Sequence, residues 1–251
     1  MNNYLEQYKS DGFVIINEGV IESQTLDSCM NQIPLLMNNI YETGIPPRKV
    51  HNLGQPDKVI KYDQVHRSSI PFYELIKCKN LKIRLQALVG SNSLKVLATQ
   101  LIIKPPSNSE GANIGWHTDD SVWNYLQGEV FTIWVPLTNV NEKTGTLEYV
   151  QKSHKDTHSF SKDDVHLTNM QTRENCYSIN QSKIVKCNIL KGGFSIHHRN
   201  SVHGSRNNTT DSPRVAFAIH VMTENVKIVP GLDDFGLAQN INSEIHHPTI
   251  Y

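Results

Sequence analysis

The sequence predicts an α+β protein with a mainly β core, a sandwich or jelly roll with helices flanking it on the N-terminal side. Three observations carry this. Apolar residues recur at helical spacing up to Gly90 and then stop doing so. From Leu94 onward the apolar runs are short and rich in β-branched residues. Gly, Asn and Pro punctuate those runs.

Taken in order, a polar first helix leads into Gly12–Ile16 (GFVII), which reads as a short buried strand. Residues 22–41 carry Leu26, Met30, Ile33, Met37 and Ile40 on one helical stripe. Residues 43–68 hold Gly44, Pro46, Pro47, Gly54 and Pro56, a loop with short strands placed to form part of a substrate mouth. Leu75, Ile76, Leu81, Leu85 and Leu88 indicate one or two helices over 71–89, ending near Gly90. Leu94–Lys104 is strand-like and is stopped by Pro105-Pro106. Further strands are expected at Val130–Leu137, Gly145–Gln151, Ile184–Leu190, Gly193–His198 and Arg214–Met222. Residues 152–183 read as an irregular insertion over one rim, and the tail after Val226 is poorly periodic. No repeat or linker divides the chain, so residues 1–251 are expected to form one domain.

The 251 residues suffice for one good-sized core. Lys plus Arg and Asp plus Glu are 24 each, which argues against a nucleic-acid partner and for a small-molecule one. The four cysteines are scattered, with no C-x-x-C pair. Met1–Asp11 lacks the apolar stretch of a secretory leader, and no apolar run approaches the ~18 residues a span requires. A soluble cytoplasmic protein without a membrane partner, monomer or homodimer, is expected.

Three features carry chemistry. His117-Thr118-Asp119 sits at a strand end, where residues two apart share a face and can aim an imidazole and a carboxylate at one point. His203 lies in a turn between two strands and can return to the same mouth. Two histidines and one carboxylate make the facial set that leaves one side of a metal open, the usual arrangement in iron(II) oxygenases. Arg214 opens a strand with Val215, Phe217, Ile219 and Val221 on one face and Arg214, Ala216, Ala218 and His220 on the other. A buried guanidinium needs a partner. A dicarboxylate supplies one through a bidentate pair; an internal Asp or Glu would serve equally on strand logic alone.

Several stretches, in order, resemble the phytanoyl-CoA dioxygenase family of 2-oxoglutarate-dependent oxygenases. They are Asp11-Gly12-Phe13-Val14-Ile15, Gln100–Pro106, Trp116-His117-Thr118-Asp119, Trp134-Val135-Pro136-Leu137, Thr144–Glu148 with Ser153-His154, and His203-Gly204-Ser205 followed by Arg214. The resemblance is clear over residues 94–222. It implies a double-stranded β-helix of the cupin-like kind, with iron(II) held by His117, Asp119 and His203. It implies that Arg214 and Ser205 grip the far carboxylate of 2-oxoglutarate. Trp134, Gln100, Thr118 and, by a looser match, Lys61 fall at cosubstrate-pocket positions. Two departures, Thr144 before the glycine and Gln151-Lys152 before Ser153-His154, lie on a supporting loop. Asp119 also matters to the reaction: related halogenases have a small residue there, so its presence implies hydroxylation or another O2-dependent oxidation, with release of succinate and CO2. The short chain and its neutral charge balance fit a small-metabolite substrate, such as an amino acid or natural-product intermediate.

His197 and His198 rival His203, but motif order favours His203, since Arg214 would otherwise fall too far along. His220 is expected to hydrogen-bond rather than ligate, His154 to brace its loop, and Asp120 to point away. Trp123 and Tyr125 either line a substrate cavity or pack. A non-catalytic or zinc-binding cupin-like protein is the competing reading; the Arg214 and Ser205 set has no role in it. No basic cluster that would suit a CoA ester is legible.

Overall fold

The structure, a computed structural model, describes residues 4–107, 112–156, 179–234 and 236–251. Most of the expected insertion, and Cys176, lie outside the described residues. The N-terminal part contains α1 (Tyr4–Asp11), β1 (Phe13–Ile16), α2 (Ser23–Met37), β2 (Lys49–His51), β3 (Ile60–Asp63), α3 (Ile70–Ile76) and α4 (Lys79–Val89). The region expected to hold one or two helices holds two, and Gly90 ends the second in the left-handed conformation, φ 67°, that suits glycine. Helix α2 buries Leu26, Cys29, Ile33 and Leu36 and stops short of the expected residue 41, because Asn39 adopts φ 57°.

Strands β4 (Leu94–Lys104), β5 (Ile114–His117), β6 (Leu126–Gln127), β7 (Val130–Pro136), β8 (Leu147–Val150), β9 (Ile184–Lys186), β10 (Phe194–His198), β11 (His203–Ser205), β12 (Arg214–Thr223) and β13 (Lys227–Ile228) follow. They form a seven-stranded sheet in the order β1-β10-β7-β12-β4-β3-β2, a four-stranded sheet β5-β11-β8-β9, and a two-stranded ribbon β13-β6. All named pairs are antiparallel. The result is a jelly-roll sandwich with the helices against one face of the large sheet.

The period-two pattern of the sequence decides which face is which. Val215, Phe217, Ile219 and Val221 join Phe131, Ile133, Val135, Ile196 and the apolar stripes of α2, α3 and α4 in one buried core. Each such side chain contributes about 1.5–3 kcal/mol on burial. The opposite face, with Arg214, Ala218 and His220, looks toward the small sheet. A bulge between His220 and Val221 lets β4 slip by one residue, since His220 pairs with Ala98 and Val221 with Val96. Leu97 then joins a separate cluster with Ala98, Trp123 and Tyr125. Among the described residues, no helix is long and apolar enough to cross a membrane.

His66, just after β3, is buried away from the sandwich interior. Its Nε2–H donates to the His246 carbonyl at 3.1 Å, and its Nδ1 accepts from Thr99 at 2.8 Å. Burial pushes its pKa down from 6.5 to about 3. The unfolded chain therefore binds a proton that the folded chain refuses. The stabilising effect is full above pH 6.5 and declines by about 1.4 kcal/mol per pH unit as pH falls toward 3. His66→Gln is expected to flatten the acid limb of a stability–pH curve by about one proton. An unchanged slope in urea titrations at successive pH values would refute this.

Candidate metal centre and carboxylate pocket

Strand β11 brings His203 opposite His117 of β5 as direct register partners, with ring centroids 4.2 Å apart. The expectation that His117 and Asp119 share one strand needs correction. The strand ends at His117, Thr118 is extended (φ −113°, ψ 146°), and Asp119 starts a single helical turn, Asp119–Val122. The extended Thr118 still delivers both side chains to one side. One ligand atom from each of His117, Asp119 and His203 lies within 4.8 Å of the other two, a spacing that a single metal ion can bridge.

The tautomers follow from the neighbours. His117 Nδ1 lies 2.8 Å from the Gly115 carbonyl and His203 Nδ1 lies 2.9 Å from the Ser201 carbonyl. A carbonyl only accepts, so each Nδ1 carries the proton and each Nε2 keeps its lone pair. Burial and the nearby His117 push the His203 pKa down to about 4, which keeps its ring neutral near pH 7.

Asp119 is nearly buried, and its two oxygens have different surroundings. Oδ2 accepts from Thr132 Oγ1 at 2.5 Å and from His197 Nε2 at 3.1 Å. Burial raises the carboxyl pKa, but the His197 hydrogen bond and the nearby His203 and His220 outweigh it and hold Asp119 well below the usual range. Thr132 in turn accepts from His220 Nδ1 at 2.8 Å. Tyr149 Oη lies 3.2 Å from His197 Nδ1 and 2.8 Å from Ser195 Oγ. With the His197 proton on Nε2 for Asp119, Nδ1 accepts from Tyr149. His197 is thus engaged with the carboxylate. His198 points to the other face of β10, near Tyr8 and His154. His220 hydrogen-bonds as expected, and His154 Nε2 lies 3.2 Å from the Lys9 carbonyl. Asp120 pairs with Arg199. Sequence reasoning missed Thr132 and Tyr149. Thr132 was legible as the hydroxyl on the Trp134 face of VFTIWVP, two residues before it.

Arg214 is fully buried, 1 % exposed, yet among the described residues its Nε and Nη1 have no hydrogen-bond partner. Nη2 donates to the Gly145 carbonyl at 2.9 Å and lies 3.4 Å from Ser205 Oγ. The guanidinium carbon stands 5.6 Å from the Trp134 ring, and Trp134 Nε1 also lacks a partner. Burial lowers the Arg214 pKa to about 10, so the cation persists near pH 7. A second buried cation, unforeseen from the sequence, lies beside it. Lys104 Nζ donates to Ser205 Oγ at 2.6 Å and to the Ser205 carbonyl at 3.1 Å. Burial and the Arg214 charge hold Lys104 well below the usual lysine range. Its signal was its place at the end of β4, where it pairs in register with Arg214.

Gly145 positions this pocket. It has φ 67°, and a Cβ there would lie 2.4 Å from the Arg206 carbonyl oxygen. Left-handed strain alone costs about 1–3 kcal/mol. Gly145→Ala is expected to lower stability by at least about 2 kcal/mol, read from the urea midpoint, because the clash with backbone adds to the strain. A shift under a few tenths would show that this loop yields freely.

Two cavities meet at the triad. A small one, about 80 Å³, has Trp134, Arg214 and Ala218 in its wall with His117, Asp119 and His203. A larger one, about 580 Å³, extends toward β2 and β3 past Thr118 and Trp123. Lys61, Gln100, His117, Asp119 and His220 line both. Gln100 Nε2 donates to Asp63 at 3.0 Å. Ser205 lies behind Arg214 and is not among the residues lining the small cavity. Tyr125 packs in the cluster with Leu97, while Trp123 reaches the large cavity.

Solved structures share this architecture. The non-haem α-ketoglutarate-dependent carbocyclase SnoK from nogalamycin biosynthesis superposes with TM-score 0.76 at 19% identity, covering 100% of this chain and 96% of that one. The epimerase SnoN, solved with Fe3+, α-ketoglutarate and nogalamycin RO, gives TM-score 0.70 at 19% identity over 91% of this chain and 86% of that one. At such identities the likeness establishes the fold, a cupin-like jelly roll. Phytanoyl-CoA dioxygenase domain-containing protein 1 of Danio rerio is 29% identical over 134 residues, 51% of this chain. The match spans 44% of that relative, less than half its length. The family model for phytanoyl-CoA dioxygenase (PhyH) matches residues 8–216, a stretch that includes His117, Asp119, His203 and Arg214. The chain belongs to the phytanoyl-CoA dioxygenase family.

Proposed function

We propose that the protein is an iron(II)- and 2-oxoglutarate-dependent oxygenase that hydroxylates an unactivated C–H bond of a small molecule. The observation that carries this reading is Arg214: a buried cation with two orphaned nitrogens in the wall of the cavity that holds the His117, Asp119 and His203 ligand atoms. An unpaired buried charge is costly unless a ligand completes it. A dicarboxylate that reaches from the triad to Arg214 does so.

The donor set fits the metal. His117 and His203 present neutral Nε2 lone pairs, and Asp119, with Oδ2 occupied by Thr132 and His197, presents Oδ1. When bound, the metal and cosubstrate supply the oxidising power, with O2 consumed, 2-oxoglutarate converted to succinate and CO2, and one oxygen atom delivered to substrate. The chain's own residues position and shield. Arg214 neutralises the far carboxylate. Lys104 donates to Ser205 Oγ and so braces the serine beside Arg214. Trp134 offers an unpaired N–H in the same cavity. Lys61 and Gln100 stand where the two cavities join, and Thr118 lines the larger one. Asp119 fills the third ligand position, which favours hydroxylation over halogenation.

The zinc or non-catalytic reading leaves Arg214 without a purpose. Anaerobic addition of iron(II) and 2-oxoglutarate to the full chain discriminates the two. A visible charge-transfer band that needs both components, followed by succinate formation on admitting O2, is expected. Tight zinc binding with neither signal would overturn the proposal.

A further inference from the structure

The sequence shows no basic cluster, but the β2–β3 hairpin builds one. The pairing of Lys49 with Asp63 and of His51 with Lys61 brings these residues to one face, and Arg48 enters from the strand's start. Arg48, Lys49, His51 and Lys61 all line the 580 Å³ cavity that ends on His117 and Asp119. Among the described residues, two carboxylates line it, Asp63 and Asp119. Asp63 is already occupied: Oδ2 accepts from His51 at 2.8 Å and Oδ1 from Gln100 at 3.0 Å. Asp119 faces the metal ligands. Among the described residues, Arg48, Lys49 and Lys61 have no salt-bridge partner.

Exposed cations are ordinarily just solvated; what sets Arg48, Lys49 and Lys61 apart is that all three line one concave cavity. They face two carboxylates there, one of which is a candidate metal ligand, and a concave wall with an excess of one sign concentrates the field inside it. An oxyanion relieves that excess. Ala98, Trp123 and Leu237 give the same cavity an apolar share of its lining.

We propose that this cavity takes a small molecule bearing an oxyanion, carboxylate or phosphate, which docks on Arg48 and Lys49. Lys61 sits at the inner end, and the remainder of the molecule lies against Trp123 and Leu237, beside His117 and Asp119. That this occupant is the substrate rests on the oxygenase reading; the site itself does not.

Three probes that differ only at one end test it: 3-phenylpropionate, 2-phenylethyl phosphate and 3-phenylpropan-1-ol. Each is titrated calorimetrically into the full chain, supplied with Mn2+ and saturating 2-oxoglutarate under nitrogen so that the Arg214 pocket is filled. At least one anion is expected to bind tenfold or more tightly than the alcohol, and the tighter one identifies the oxyanion. Arg48→Glu and Lys49→Glu are each expected to weaken that anion at least tenfold and to leave the alcohol within twofold. Should either reversal impair folding, Arg48→Gln and Lys49→Gln are expected to give a smaller loss in the same direction. Anions no tighter than the alcohol, or anion binding within twofold of wild type in both variants, overturns the proposal. Failure of 2-oxoglutarate itself to bind the wild-type protein with Mn2+ speaks against the oxygenase reading instead, and the probe titrations then judge the oxyanion site without it.

Discussion

Asp119→Ala is expected to abolish substrate-dependent succinate formation, with activity falling more than about a hundredfold. Even residues that merely orient metal ligands cost 10- to 100-fold when removed. Asp119 supplies the carboxylate of the set and anchors the polar network around it. Its loss removes the only ligand-set charge that offsets the metal and strands the Thr132 hydroxyl and the His197 Nε2–H, both aimed at Oδ2. Each stranded buried donor costs about 1–3 kcal/mol, so the apo protein is expected to lose stability as well. Asp119→Asn separates the two effects. It keeps an acceptor oxygen for one donor and should recover much of the stability while remaining inactive. Thr132→Val, which removes one hydrogen bond and leaves every ligand, is expected to lower metal affinity only 10- to 100-fold. Metal-binding titrations, denaturant curves and succinate assays read all three. Full activity in Asp119→Ala would remove the triad from consideration.

The parts of this site that repeat along the chain were legible, and the parts that depend on meeting across space were not. Alternation along Arg214–Met222 was enough to put Val215, Phe217, Ile219 and Val221 in the helix-side core and Arg214, Ala218 and His220 on the cavity side. The stripe of α4 was equally readable from its period, whereas that of α2 was read only in part: Leu26 and Ile33 are buried as expected, but Cys29 and Leu36 join them while Met37 and Ile40 are exposed. His203–Ser205 read as a turn because three residues, one of them Gly, cannot show alternation; pairing with β5 and β8 on both sides makes it a strand. The one-residue bulge at Leu97 was likewise invisible, since no local signal marks a register slip. Lys104 was read as the end of a strand, and only its register opposite Arg214 reveals a second buried cation. The cationic wall at Arg48, Lys49 and Lys61 went unseen for the same reason: the residues lie on two strands joined by a loop, and their sum of charge appears only once the hairpin forms. The resemblance supplied ligand order, but the tautomers of His117 and His203 came from carbonyls that only coordinates place nearby.

Arg214→Met is expected to act in opposite directions on the empty and the loaded protein. In the empty protein the guanidinium is buried with two nitrogens unpaired and Lys104 as a like-charged neighbour. Replacing a poorly compensated buried ion with an apolar side chain of similar volume is often neutral or stabilising by about 1–4 kcal/mol. The Gly145 carbonyl loses its 2.9 Å donor, which offsets part of that gain by about 1 kcal/mol. The apo variant is therefore expected to unfold at the same or a higher denaturant concentration than wild type. Cosubstrate binding moves the other way. Loss of a charge-assisted, desolvated pair costs about 2–5 kcal/mol, which raises the 2-oxoglutarate requirement at least about thirtyfold. The kcat at saturation should change far less, because in the proposed reading Arg214 contacts the end of the cosubstrate that does not react. The stabilisation that wild type gains at a hundredfold excess over Kd, about 2.7 kcal/mol, should fall below about 1 kcal/mol at the same concentration in the variant. A structural arginine predicts the reverse: a destabilised apo protein and an unchanged 2-oxoglutarate requirement. Denaturant curves with and without 2-oxoglutarate, on both proteins, therefore decide whether Arg214 is held for the fold or for its ligand.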